Sequence, residues 1–413
     1  MEPPEVEEFS GTKKFPQPVA NSRPPIISAA AMSALERRFR AAMPFIIPAV
    51  NSVPNIIPPV ILPLYRCRTV AGLCALMLVA GTPSSLFAQA ATFDSHAAQS
   101  ESLNAAETGS LANEIGADME FLASDELHGR GSATRDEHLA ALFAASQFEA
   151  IGLKPGADAG SYIQRVRLPS QMSSRAQQRI SMLENVPRTE TWNAIGILPG
   201  IDASAGVVLL SAHLDHLGIG PPNGAGDRIY NGADDDASGT SAVLALAHVL
   251  ANGPRLRRTV VVALFGSEEL GGFGNAGFLE HPPVPLTSIV ANLEFEMIGR
   301  PDPAVGENGL WLTGYERSNL GSELAKHGAP LVADPHPSER FFQRSDNIAL
   351  ARRGVVAQTV SSFGLHKDYH QPSDELSTID FNHLDRAVVS MIEPIRWLAN
   401  TDWRPSWNPG GRP

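Results

Sequence analysis

The chain has 413 residues, enough for one large domain or two smaller ones. Hydrophobic residues make up 43% of it and charged residues 18%, a balance that supplies a core and excludes a disordered polyelectrolyte. A formal net charge of -12 argues against nucleic acid or an anionic membrane surface as the main partner.

Residues 1–62 are rich in Pro and Ala. The run "PFIIPAVNSVPNIIPPVILP" is too often broken by proline to be a helix. They read as a disordered leader or a misassigned start, outside the fold. Residues 63–90 have the layout of a secretory signal peptide. Arg66 and Arg68 supply the positive start, Thr69–Gly81 the apolar stretch, and Ala88-Gln89-Ala90 the cleavage site. The alternative, a membrane span, needs about 20 apolar residues, more than this stretch offers. A lipid anchor on Cys74 is disfavoured by Leu73, where a small residue is wanted. Export to the periplasm or the medium follows, with no stable membrane anchor after cleavage. The two cysteines, Cys67 and Cys74, would leave with the signal, so no disulfide is expected in the mature chain.

From residue 103 the pattern becomes globular and continues to about 400, read as a single domain with a tail over 401–413. Leu111, Ile115, Met119 and Leu122 have helical spacing, as do Leu139, Leu142, Phe143 and Phe148, the latter run stopping at Gly152. "SYIQRVRLP" alternates like a strand. From 192 onward, "WNAIGILPG", "AGVVLLSAHLD", "RRTVVVALFGSEE", "SIVANLEFEMIG" and "GVVAQTVSS" read as strands. "SGTSAVLALAHVLANG" and "DFNHLDRAVVSMIEPIRWLAN" read as helices, the first closed by Gly253. Apolar strands alternating with helices predict an α/β fold with a mostly parallel sheet covered on both faces. Ligands in such folds bind beyond the carboxyl ends of the strands.

Polar residues gather at those ends. His213 and Asp215 close one strand, and Asp235 lies in the loop before the next helix. Glu268 and Glu269 follow another strand, Glu296 a third, and His370 comes after "GVVAQTVSS". Singly, each has an ordinary explanation: a strand-end histidine is usually structural, and Asp234 and Asp236 would suit the start of a helix. Together they would bring two histidines and several carboxylates to one rim, which is costly without a cation. These are zinc donors. A pair of metals needs a carboxylate shared between them, a role open to one aspartate of the triplet.

The motifs "HLD", "GADDDASG", "SEELGGFG", "EFEMIG" and "YHQPSDE", in this order, resemble the co-catalytic dizinc exopeptidases related to aminopeptidase Y and glutamate carboxypeptidase II. The resemblance covers residues 103–400 and implies a three-layer α/β/α fold with a mixed, mostly parallel central sheet. It implies two zinc ions per chain, with His213, Asp235 and Glu296 on one and Asp235, Glu269 and His370 on the other. Glu268 is then the general base toward a metal-bridging water, and Asp215 orients His213. Asp236 supports the loop, and Tyr369 either helps stabilise the oxyanion or packs. In the family the peptide after the bridging aspartate is cis, which points to the Asp235–Asp236 bond.

Glu296 departs from the aspartate commoner at its position, and Asn347 from a histidine often found after Ser-Asp. Glu294, two residues before Glu296, is a weaker candidate ligand. The interval between "YIQRVRLP" and "WNAIGILPG" is too short for the protease-associated domain often inserted there. The implied activity is hydrolysis of N-terminal residues from peptides. A single-zinc glutaminyl cyclase-like enzyme, a carboxypeptidase or dipeptidase, and a non-catalytic binding ectodomain stay open as alternatives on the same fold. Oligomeric state is not legible.

Overall fold

The computed structural model describes residues 104–413; the leader over 1–62 and the signal segment over 63–90, with Cys67 and Cys74, lie outside the described residues. The chain opens with helix α1 (Ala105–Leu122) and helix α2 (Arg135–Ala150). Thr134 caps α2 by accepting from the amides of Asp136 and Glu137, whose charges also suit a helix start. Gly152, at φ +77°, lets the chain leave that helix. Short strand β1 (Lys154–Pro155) and strand β2 (Ile163–Arg167) follow. The interval read from sequence as a bare spacer then forms helix α3 (Ser174–Met182), capped by Ser173.

The core elements are strand β3 (Glu190–Leu198), strand β4 (Val207–His213), helix α4 (Gly239–Asn252), strand β7 (Thr259–Phe265) and strand β8 (Ile289–Phe295). A small hairpin, β5 (Gly218–Ile219) with β6 (Ile229–Tyr230), stands apart between β4 and α4. Helix α5 (Phe273–Glu280), strand β9 (Leu310–Leu312), helix α6 (Leu320–Lys326), strand β10 (Leu331–Ala333), helix α7 (Asn347–Arg352) and strand β11 (Ala357–Ser361) come next. The long helix α8 (Phe381–Asn400) closes the set.

Nine strands make one mixed sheet in the order β1-β3-β7-β4-β8-β11-β9-β10, with β2 also paired to β3. Its centre, β7-β4-β8-β11, is parallel, while β3 joins β7 and β9 joins β11 antiparallel. Every residue of β4 is buried, because successive side chains enter opposite layers. Val208, Leu210 and Ala212 face the cluster containing α1, α2, α4 and α8; Val207 and Leu209 face the one containing α5 and α7. The fold is therefore three-layered, α/β/α. Burial on both faces is the physical reason these strands read as unbroken apolar runs.

The residues set apart in the sequence as a tail lie back on the domain: Asn408 N–H donates to Arg317 O at 2.8 Å, and Trp407 packs against both core clusters. No helix among the described residues is long and apolar enough to cross a membrane. The parallel run at the centre of the sheet aligns four carboxyl ends along one rim.

Candidate metal centre

His213 is the last residue of β4. Its Nδ1 lies 3.0 Å from the backbone carbonyl of Asp215, an acceptor only, so the proton sits on Nδ1. Nε2 is left bare, buried and without a hydrogen-bond partner, 3.2 Å from Oδ1 of Asp235. The contact between Asp215 and His213 thus runs through the backbone. The Asp215 carboxylate, 3.8 Å from that ring, accepts instead from Glu268 N–H at 2.9 Å, Glu269 N–H at 3.3 Å and Ser132 Oγ at 2.5 Å. It positions the acidic pair.

The Asp234-Asp235-Asp236 triplet occupies a wide turn over Ala233–Ser238 and is buried throughout. Asp234 accepts from Gly299 N–H at 2.7 Å and meets His366 Nε2 at 2.8 Å. Asp236 accepts from the amides of His213, Gly239 and Met297 at 3.0–3.2 Å, tying the loop to the ends of β4 and β8. The amides of Asp234 and Asp235 donate to Asp374 at 3.1 Å. The Asp235–Asp236 peptide is cis. Gly232, at φ +59°, admits this turn: a Cβ there would lie 2.5 Å from the His216 ring.

Asp235 is thereby free of structural duty at its carboxylate, whose oxygens look in different directions. Oδ1 faces His213; Oδ2 faces His370 Nε2 at 3.2 Å and His216 Nδ1 at 3.8 Å. On the second side, Glu269 Oε1 lies 2.9 Å from His370 Nε2 and 3.1 Å from His216 Nδ1, and the other Glu269 oxygen pairs with Arg179. On the first side, donor atoms of His213, Asp235 and Glu296 lie within 4.8 Å of one another, as do those of His216, Asp235 and Glu269. Ligand atoms around a tetrahedral zinc ion stand roughly 3.3 Å apart, given bonds of about 2.0–2.2 Å, so these spacings fit.

The charges also call for cations. Burial lifts Glu268 well above the usual carboxylate range, with His213 opposing and Glu269 adding to the rise. Burial likewise pushes Glu296 up to about 8, against His213. Burial works to lower His213 and His370, but Asp236 and Asp235 raise the first well above its ordinary value. Glu269 and Asp235 raise the second to about 10. Carboxylates packed this closely draw protons onto their neighbours unless a metal supplies the positive charge. His213 Nε2, His216 Nδ1 and Glu269 Oε1 are all buried without a hydrogen-bond partner. The residues fit zinc.

Tyr369 stacks on His370 with ring centroids 3.8 Å apart, and its hydroxyl is 3.4 Å from Arg344. Glu294 joins neither donor group among the described residues: it accepts from Asn347 N–H at 2.7 Å and Thr359 Oγ1 at 3.1 Å, holding the start of α7. Sequence reasoning missed His216, although it follows His213 by three residues in "HLDH". It also missed Arg179, because α3 itself was not foreseen. A cleft of about 560 Å³ leads in, with Arg179, Glu268, Glu269, Arg344, Asp346 and His370 on its walls. A small recess walled by Trp311, Phe341 and Phe363 opens beside Glu296.

Residues 193–393 match the model of peptidase family M28. A probable lipoprotein aminopeptidase, LpqL of Mycobacterium tuberculosis, is 35% identical over 102 residues, covering 24% of this chain and 18% of its own length. Aminopeptidase YwaD of Bacillus subtilis is 25% identical over 188 residues, covering 44% and 38%. The aligned segments thus span well under half of either curated relative. Among solved structures, the zinc aminopeptidase BSAP of Bacillus subtilis superposes with a TM-score of 0.53 at 14% identity, covering 70% of this chain and 96% of that one. The LapA aminopeptidase of Legionella pneumophila gives 0.52 at 17%, covering 73% and 76%. These likenesses establish a shared fold.

Proposed function

Residues 193–393 match the model of peptidase family M28, and from that premise we propose that the chain is a zinc-dependent aminopeptidase acting on peptides with free N-termini. The observation that carries the reading is Asp235, whose two oxygens turn to separate donor groups. His213 and Glu296 would hold one zinc ion and Glu269 and His370 the other, with Asp235 between them. Bound zinc polarises the scissile carbonyl and lowers the pKa of an attacking water.

The protein's own groups do the rest. Glu268, half-buried on the cleft wall, takes the proton from the water and returns it to the leaving amine. Its raised proton affinity suits that exchange. Asp215 fixes the Glu268–Glu269 backbone from below, so both carboxylates keep their aim. Tyr369, stacked on His370, faces the same space and is available to the developing oxyanion. The cleft accommodates short peptides or exposed chain ends. Export to the periplasm or medium rests on residues 63–90.

A panel of aminoacyl-nitroanilides, assayed with and without chelator, tests the activity, and zinc analysis tests the centre. Chelator-sensitive release with about two zinc ions per chain is expected. Glu268→Gln should keep its zinc and lose at least ~100-fold in kcat, in line with removal of a general base. About one zinc ion and no release would favour the cyclase chemistry; undiminished turnover in the variant would remove Glu268 from its role.

A further inference from the structure

We propose that His216 is a ligand of the second metal ion through Nδ1, so that this site is built on two histidines and is the tighter of the pair. The proposal rests on reading the rim as a two-metal centre and adds a donor to it. His216 follows β4 by three residues and is wholly buried, with neither ring nitrogen hydrogen-bonded. An imidazole in that condition costs free energy unless something uses its lone pair. Its Nδ1 points at the right atoms: Glu269 Oε1 at 3.1 Å and Asp235 Oδ2 at 3.8 Å. Those spacings suit a common tetrahedral ion.

The ring is held there by the backbone. His216 N–H donates to Arg130 O at 3.1 Å, and His216 O accepts from Ser132 N–H at 3.1 Å. Gly232 leaves the space that the ring fills. The segment is braced on both sides, as a ligand-bearing segment needs.

The surroundings of His370 make a second histidine useful. Its Nε2 faces Asp235 and Glu269, but its Nδ1 has the Arg179 guanidinium at 3.4 Å. A guanidinium only donates, so it cannot accept the Nδ1 proton that His370 would carry with its Nε2 on a metal, which makes His370 the weaker donor. Among the described residues no guanidinium hydrogen-bonds to either ring nitrogen of His216. Asp235, Glu269, His216 and His370 would together offer the second ion four protein donors. His213, Asp235 and Glu296 would give the first ion three, a donor count associated with catalytic zinc sites.

The test uses the full chain, stripped of metal and titrated with cobalt(II) against a competing chelator, followed by its visible absorption. The unaltered protein should bind two ions with distinct affinities. His216→Leu should weaken the tighter one by about 100-fold or more, above the 10–100-fold typical of losing a mere orienting partner, and change its absorption bands. His216→Asn, whose amide oxygen falls near the position of Nδ1, should recover part of the affinity. Circular dichroism on each variant separates a lost ligand from a lost fold. Two ions bound by His216→Leu with unchanged affinities and bands would overturn the proposal and leave the two-metal reading intact. Fewer than two ions in the unaltered protein would overturn both; a folded His216→Asn no better than His216→Leu would overturn the proposal alone.

Discussion

Within the aspartate triplet, adjacency in sequence conceals a division of labour. Asp234 and Asp236 spend their oxygens on backbone amides and His366, which leaves Asp235 to face the two histidine groups. The same logic applies away from the rim. Asp118 on α1 is buried, one carboxyl oxygen lacks a partner, and burial with nearby Glu114 pushes its pKa to about 7. Its folded pKa lies above the unfolded value of 3.8. The folded state therefore binds this proton more tightly, and the associated stability is full below about pH 4 and is lost as pH rises through about 7. At about 1.4 kcal/mol per unit, the ceiling is about 4 kcal/mol. Asp118→Asn should flatten this dependence: denaturant unfolding should find the variant gaining on the parent between about pH 4 and pH 8. Parallel pH curves for the two proteins would show that Asp118 titrates alike in both states.

At the scale of elements, the carboxyl ends need bracing because the loops that carry the candidate ligands have no ladder of their own. Arg130 provides one brace. Its buried guanidinium donates to the carbonyls of Leu122, Leu214, Asn231 and Gly232 at 2.5–3.0 Å, joining α1, the end of β4 and the start of the aspartate turn. Burial lowers its pKa to about 10, so it stays charged at neutral pH. Arg130→Met keeps the volume but leaves these carbonyls without donors, at about 1–3 kcal/mol for each that water does not reach. Urea unfolding should register a loss of about 3–5 kcal/mol, the scale of breaking a buried charged network. A loss under about 1 kcal/mol would show that the loops hold without it. Gly266, between β7 and the acidic pair, has a related constraint: a Cβ would collide with the buried Glu137 carboxylate. Helix α3 shows what element-level pattern misses. Its "SRAQQRISM" buries only Ala176, so no apolar stripe announced it, yet it delivers Arg179 to Glu269 and His370.

Across the whole molecule, the parallel strands β7, β4, β8 and β11 converge on one carboxylate-rich rim, and a cation there should stabilise the entire domain. Removing metal leaves Asp235, Glu269 and Glu296 facing one another, while a ligand held at 1,000 times its Kd contributes about 4 kcal/mol. For a domain of this size that corresponds to a Tm shift on the order of 10 °C. Scanning calorimetry of the chelated and zinc-loaded protein measures it directly; coincident transitions would count against a metal centre.

The sequence by itself determined the long elements and their order, because strands buried on both faces must be continuously apolar and the helices over them must keep a 3.6-residue period. Residues at those strand ends were legible too, since polar side chains interrupting apolar runs stand out. The motifs then suggested roles that spacing alone could not. Only the tertiary structure decided which donors meet: that Asp215 reaches His213 through its carbonyl, that Glu294 is committed to α7, that His216 turns its Nδ1 inward, and that Arg179 arrives from a helix 90 residues before Glu269. Local pattern records whether a side chain is buried. The direction in which a buried polar atom points depends on neighbours distant in the chain, and it is that direction which makes a ligand.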